Sequence, residues 1–212
     1  MSELIDIYDE NGKPLGAVSR KEAHAKGLWH YTVHCWILQA PEYVLFQMRA
    51  KHLNDNPGKL YTTASGHISA RETLEQGFER EVREELGATI KPLKMIRKWN
   101  YIADFVCKNG EEYHDRAVAH IFIAETECEL GEYRFDQQEL DGIYRLNAAE
   151  TLKLASGEIA EIKADAVVFE DGKYIVKNGI TITADDFLTL GDETLYSKFG
   201  FVLEAAIEHF SS

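Results

Sequence analysis

At 212 residues with 45% hydrophobic content, the chain can bury a core of its own and suits one domain, with or without an appendage. A formal net charge of -13 opposes binding of a long polyanion, which needs a positive surface, so nucleic acid is not an expected partner. No run approaches the roughly 20 apolar residues of a membrane span, no apolar leader precedes a small-residue cleavage pattern, and Cys35, Cys107 and Cys128 make neither a disulfide framework nor a zinc knuckle. A soluble cytoplasmic protein with no membrane contact is therefore expected, its cysteines acting as small hydrophobes.

In chain order, residues 4–8 and 15–18 read as short extended pieces about an Asp-Glu-Asn-Gly-Lys-Pro turn. Runs rich in β-branched and aromatic residues predict strands at 31–38, 43–48 and 60–64, then at 95–106 and 117–124. Lys108-Asn109-Gly110 predicts the hairpin turn between the last two. The clearest helix starts after Thr73, which can cap the first turn while Gln76 reaches back. Leu74, Phe78, Val82 and Leu86 then recur every four residues along one face, and Gly87 supplies the stop. Further helices are expected at 148–154 and 195–210. Strands on both sides of a helix point to a layered α/β (α+β) domain over 1–156. Residues 157–193 read as an added segment containing a hairpin at 167–176, and 194–212 as a C-terminal helix packed on the domain.

Within the main helix Glu81, Glu84 and Glu85 sit at i, i+3 and i+4, so all three project from one side. Like charges at that spacing destabilise an isolated helix by a few tenths of a kcal/mol per pair, about 0.2–0.5. Solvation compensates in most Glu-rich helices. A hard divalent cation, which takes oxygen ligands, is the functional alternative.

The flanking residues decide. From Gly66, five residues lead to Glu72, seven more to Arg80-Glu81, then Val82, one residue, Glu84-Glu85, one residue and Gly87. This resembles the Nudix box, G-x5-E-x7-R-E-U-x-E-E-x-G-U with U a bulky aliphatic residue; all seven fixed residue types are present, and only Ala88, smaller than the usual last aliphatic, departs. The resemblance implies a Nudix-type α/β/α sandwich with a mixed sheet and a carboxylate-bearing loop-helix-loop. It further implies a hydrolase that opens a diphosphate linkage by attack of water at phosphorus, using magnesium or manganese. Glu81, Glu84 and Glu85 are then the metal ligands, Gly66 gives backbone room at the metal or phosphate, and Arg80 with Glu72 orients the ligands. For a general base the candidates are Glu139 and, after it, Glu111 and Glu112, since Gln137 and Gln138 cannot deprotonate water.

The N-terminal half resembles one branch of the superfamily more closely, that of type 1 isopentenyl-diphosphate isomerase and its hydrolase relatives. The matching stretches are residues 6–20, His24-Ala25-Lys26-Gly27-Leu28-Trp29-His30, Phe46-Gln47-Met48-Arg49 and Gly66-His67. In those isomerases, histidines at the places of His24, His30 and His67 bind metal, which makes the trio a second candidate metal site. The isomerases carry a catalytic cysteine just before the last histidine, whereas this chain reads Thr62-Thr63-Ala64-Ser65-Gly66-His67. Their further metal carboxylates fall near His114-Asp115-Arg116, where the match is poor. Hydrolysis is thus expected over isomerisation, with a non-cleaving nucleotide-sensing module as a third reading. The expected partner is a small diphosphate-containing substrate, such as a nucleoside diphosphate derivative, and the resemblance is compatible with a homodimer. Trp99, Tyr101, Phe105 and Tyr113 can stack on a ring, although alternating strand aromatics more often belong to a core.

Overall fold

The computed structural model describes residues 3–53, 56–106, 110, 112–189 and 193–211. Its strands are β1 (Leu4–Tyr8), β2 (Pro14–Ser19), β3 (Trp29–Gln39), β4 (Tyr43–Arg49), β5 (Leu60–Tyr61), β6 (Ala64–His67), β7 (Lys94–Val106), β8 (Glu112–Thr126), β9 (Leu140–Asn147), β10 (Glu161–Glu170) and β11 (Lys173–Thr183). The helices are α1 (Arg20–Lys26), α2 (Leu74–Leu86), α3 (Ala148–Ala155) and α4 (Leu195–Ser211). The strands hydrogen-bond in the order β11-β10-β9-β4-β3-β1-β2, with β5 on β4, β6 and β8 on β3, and β7 on β8. Pairing is antiparallel except between β3 and β8, so the sheet is mixed.

Alternation along β3 divides the core between the two faces of the sheet. Val33, Cys35 and Ile37 point one way and are covered by Phe78, Val82 and Leu86 of α2. Trp36 and Leu38 point the other way and are covered by Leu195, Phe199, Val202, Leu203 and Ala206 of α4. Each large apolar side chain so buried contributes about 1.5–3 kcal/mol, which fixes both helices against the sheet. α2 begins at the expected capping box, Thr73 Oγ1 accepting from Gln76 N while Gln76 Oε1 accepts from Thr73 N, and ends at Gly87 with φ +67°.

Three readings need correction. Residues 20–26, where no helix is expected from the sequence, form α1, capped by Ser19 and ended by Gly27 at φ +59°. The run 60–64 is two strands: Thr63 Oγ1 accepts from Ile37 N at 3.1 Å and donates to Leu45 O, replacing a ladder bond and breaking the strand between β5 and β6. β8 starts five residues before the expected 117, at Glu112, where it pairs with Val106. Cys107, Lys108, Asn109 and Glu111 lie outside the described residues. The hairpin read at 167–176 is the turn of β10 and β11, and β10 pairs with β9, so this segment continues the main sheet.

Candidate active site

Strand β6 divides the two groups of expected site residues. Its register pairs Thr32 with His67 and Val33 with Gly66, which sends His67 and the α position of Gly66 to opposite faces. On the α2 face, a Cβ at Gly66 would overlap the Glu81 carboxylate, so only glycine lets that side chain lie against the strand. The room expected for a metal or phosphate is thus filled by Glu81 itself, which is 8% exposed. Glu85 accepts from Ser65 N at 3.3 Å. Burial, chiefly, and the Glu81 charge next push its carboxyl well above the usual range, with Glu139 adding to the effect. Burial likewise raises Glu81, against the opposing pull of Arg80.

Arg80 organises the rest. Its Nε and Nη2 donate to the two oxygens of Glu72 at 2.9 and 3.0 Å, the bidentate fork expected from the motif. Nη2 also donates to His67 O at 2.6 Å, while Nη1 donates to Glu81 Oε1 at 2.7 Å and Glu84 Oε2 at 3.1 Å. Glu72 Oε2 accepts Ser69 N as well, closing the loop onto the helix. The consequence differs from three convergent ligands. Glu81 and Glu85 lie inward beneath β6, whereas Glu84 is held outside by Arg80 with 56% of its side chain exposed. Glu139 is exposed in the segment before β9, its carbonyl accepting from Ala50 N, close enough to Glu85 for its charge to register there. Glu112 sits at the far end of the β7–β8 ribbon beside His114, five residues before the first contact of β8 with β3.

Across β6, among the described residues, His24, His30 and His67 form the one group of three or more His, Cys, Asp or Glu whose ligand atoms all lie within 4.8 Å of one another. α1 supplies His24, β3 His30 and β6 His67. His30 Nδ1 donates to Leu28 O at 2.9 Å, which turns its Nε2 lone pair inward. The Nε2 atoms of His24 and His67 face each other at 3.2 Å. Asp115, in the stretch read as a poor match, aims Oδ1 at this centre, 3.4 Å from His30 Nε2 and 3.8 Å from His24 Nε2. Asp115 Oδ1 and His30 Nε2 are both buried with no hydrogen-bond partner among the described residues. Burial pushes Asp115 up to about 6, and burial with the neighbouring His30 brings His24 down to about 4. Tyr113 stacks on His24 at 4.2 Å, Trp99 packs edge-on against Phe201, and the side chain of Phe105 lies outside the description.

Sequence reasoning met Asp115 only in a stretch that matches the isomerases poorly and gave no role to it or to Arg49, whose charge acts on both Glu85 and Tyr61. Its place beside the histidines follows from laying β8 against β3, since Ala117 pairs with His30 and puts Asp115 past the strand's start.

Comparison with known proteins identifies the family and the fold. Residues 28–165 match the family model described as NUDIX domain. An uncharacterized Nudix hydrolase of Clostridium acetobutylicum is 28% identical over 98% of both chains. An isopentenyl-diphosphate Delta-isomerase of Mycolicibacterium vanbaalenii is 31% identical over 45% of this chain and 53% of its own. Among solved structures, DR0079 from Deinococcus radiodurans superposes with TM-score 0.53 and 17% identity, covering 73% of this chain and 90% of that one, a likeness of fold.

Proposed function

Since the chain belongs to the Nudix family, whose hydrolases act on pyrophosphate bonds, we propose that it is a divalent-metal-dependent hydrolase of a small diphosphate compound. The single observation that carries this reading is the pair Glu81 and Glu85, two carboxyls beneath β6, the first against Gly66 and the second on Ser65 N, each raised by burial and further by a neighbouring carboxylate. A hard cation relieves that repulsion and suits an all-oxygen donor set, as magnesium or manganese would. Such an ion, when bound, acidifies water and neutralises charge developing on phosphate oxygens.

The residues around it have separable tasks. Arg80 holds Glu81 and the backbone carbonyl of His67 together through its fork on Glu72. Glu84 is the ligand to be recruited from outside, by exchange of its Arg80 contact. Glu139 is the candidate base, exposed and near Glu85. The three histidines with Asp115 fit a second ion: three neutral imidazole nitrogens and one carboxylate oxygen, two of these atoms buried without partners, are a donor set that suits manganese or zinc. The diphosphate then lies across the end of β6, between the two groups.

The carboxyl ligands are tested by Glu85→Gln and Glu84→Gln. Both are expected to fold and to lose magnesium-dependent release of phosphate-containing product, Glu85→Gln by at least about a hundredfold. Undiminished turnover in both variants would contradict the reading. Isomerisation is the second reading, motivated by the histidine group. The stretch Thr62 to Gly66, which holds no thiol before His67, weighs against it, and the absence of double-bond migration with isopentenyl diphosphate would remove it.

A further inference from the structure

The hairpin of β10 and β11 reaches past the sheet. β10 pairs with β9 only from Asp165 to Val168, and beyond that point, among the described residues, the two strands pair with each other alone. This end of the hairpin meets the segment that leads to Glu139, and Tyr174 makes the contact. Its ring meets Phe135 and Phe169 edge-on, each at 5.0 Å, and the Arg134 guanidinium lies 5.0 Å from its centre. Its hydroxyl donates to Phe135 O at 2.8 Å and accepts from Gln137 Nε2 at 3.3 Å. A phenylalanine ring would fill the same space, so the directional part of the contact is the hydroxyl's.

The peptide unit that Tyr174 grips is held at its other end by α2. The carbonyl of Phe135 and the N–H of Asp136 share one plane, and Asp136 N donates to Glu85 O at 2.8 Å. The last carbonyls of a helix have no donors of their own, so Leu86 O likewise takes Arg134 N, at 3.3 Å. Gly87 permits the approach, because a Cβ there would overlap Arg134 O. From the clamped plane a turn leads to the candidate base. Asp136 Oδ1 accepts from Gln138 N at 2.8 Å, and Asp136 O accepts from Glu139 N at 3.1 Å and Leu140 N at 2.9 Å. Ala50 N closes the far side on Glu139 O at 2.9 Å. One peptide plane is thus fixed by Glu85, from the helix that carries the carboxylates, and by Tyr174, from the hairpin.

We propose that Tyr174 is a positioning residue: by fixing the peptide between Phe135 and Asp136 against Glu85, its hydroxyl sets where Glu139 stands relative to the buried carboxyls. This gives the β10–β11 hairpin a part in turnover. It rests on the preceding reading that Glu139 is the base. A reacting group displaced by about 1 Å loses on the order of a hundredfold in rate, and a base that touches only the attacking water does so without loss of substrate affinity.

The test compares Tyr174→Phe, which keeps the ring and removes the hydroxyl, with the intact protein in two measurements. Amide hydrogen exchange, read by nuclear magnetic resonance without substrate, should be at least about tenfold faster at Asp136 and Glu139 and within about twofold along α2. Turnover is measured with magnesium on the fastest cleaved of a sugar nucleotide, a dinucleoside diphosphate and isopentenyl diphosphate. There kcat should fall at least about tenfold with KM within about twofold. Glu139→Gln should lower kcat at least about a hundredfold. Adding Tyr174→Phe to it should change kcat by less than about twofold, since a hydroxyl that acts through Glu139 then has nothing left to place. Should Tyr174→Phe fail to fold, Gln137→Met, which removes the hydroxyl's other bond, should show the same pattern with a loss of at least about threefold. Unchanged exchange at Asp136 and Glu139, an effect confined to KM, or an equal loss of kcat with and without the Glu139 carboxyl would each overturn the proposal. Full turnover by Glu139→Gln would remove the base and the proposal together while leaving metal-dependent hydrolysis standing. No turnover of any of the three compounds by the intact protein would count against the hydrolase reading, and exchange alone would then decide whether Tyr174 holds the segment.

Discussion

Gly66 ties the loop to the helix through one missing atom. Any Cβ there collides with the Glu81 carboxylate, which has β6 above it and Arg80 beside it. Gly66→Ala is therefore expected to cost about 1–3 kcal/mol, as overpacking does, and to lose metal-dependent turnover with it; an unchanged unfolding midpoint in urea would show that Glu81 has room to retreat. Asp115 acts on the other side of β6. Asp115→Asn should reduce the thermal stabilisation given by saturating manganese, since it removes a charged ligand from a site of three neutral ones; an equal rise in midpoint for both proteins would mean that ions bind elsewhere. The spacing of the box made Arg80, Glu72, Glu81 and Glu85 legible in the sequence: helical periodicity places Glu81 and Glu85 on one side, and the match to the motif singles out Arg80 and Glu72. What it could not convey is that Arg80 draws Glu84 outward, a choice settled by the carbonyl of His67 and the position of Glu72 in a loop.

Strand β3 carries chemistry on one face and packing on both, and this gives it a pH signature. His34 holds its proton only below about 4 when folded, against 6.5 ordinarily. Above pH 6.5 the ring is neutral in folded and unfolded chains alike. As pH falls from 6.5 toward 4 the unfolded chain takes up a proton that the folded one refuses, so stability is lost across that window, by up to about 3 kcal/mol. Glu85, raised rather than lowered, contributes with the opposite sign where the folded chain binds its proton. Comparing His34→Gln with the parent isolates the histidine: urea midpoints against pH should fall less steeply for the variant between pH 6.5 and 4, and parallel curves would contradict a neutral His34. Among the elements, α2 was legible because its apolar stripe, capping box and terminal glycine agree. α1 was not. Seven residues offer two turns with little periodicity to detect, and the local cues are confined to its ends, the Ser19 cap on Glu22 N and the stop at Gly27.

For the molecule as a whole, the mixed sheet between α2 on one face and α3 with α4 on the other is the sandwich that the box implies. The hairpin of β10 and β11 joined the sheet rather than standing apart because its apolar residues Ala166 and Val167 face neighbours on β9, a tertiary fact that alternation cannot assign. α4 closes the α3 side through Phe199, which meets Trp36, Phe46 and Phe187. Phe199→Ala should cost about 3–5 kcal/mol in denaturant unfolding, whereas a loss below about 1 kcal/mol would mean that α4 only lines the surface. The function assigned to this scaffold is tested most directly by turnover of a panel of diphosphate compounds in water labelled with heavy oxygen, with magnesium or manganese present. Hydrolysis by attack at phosphorus predicts one label in a phosphoryl product and none without metal; rearranged substrate free of label, or a panel left intact by a protein that binds it, would contradict the account.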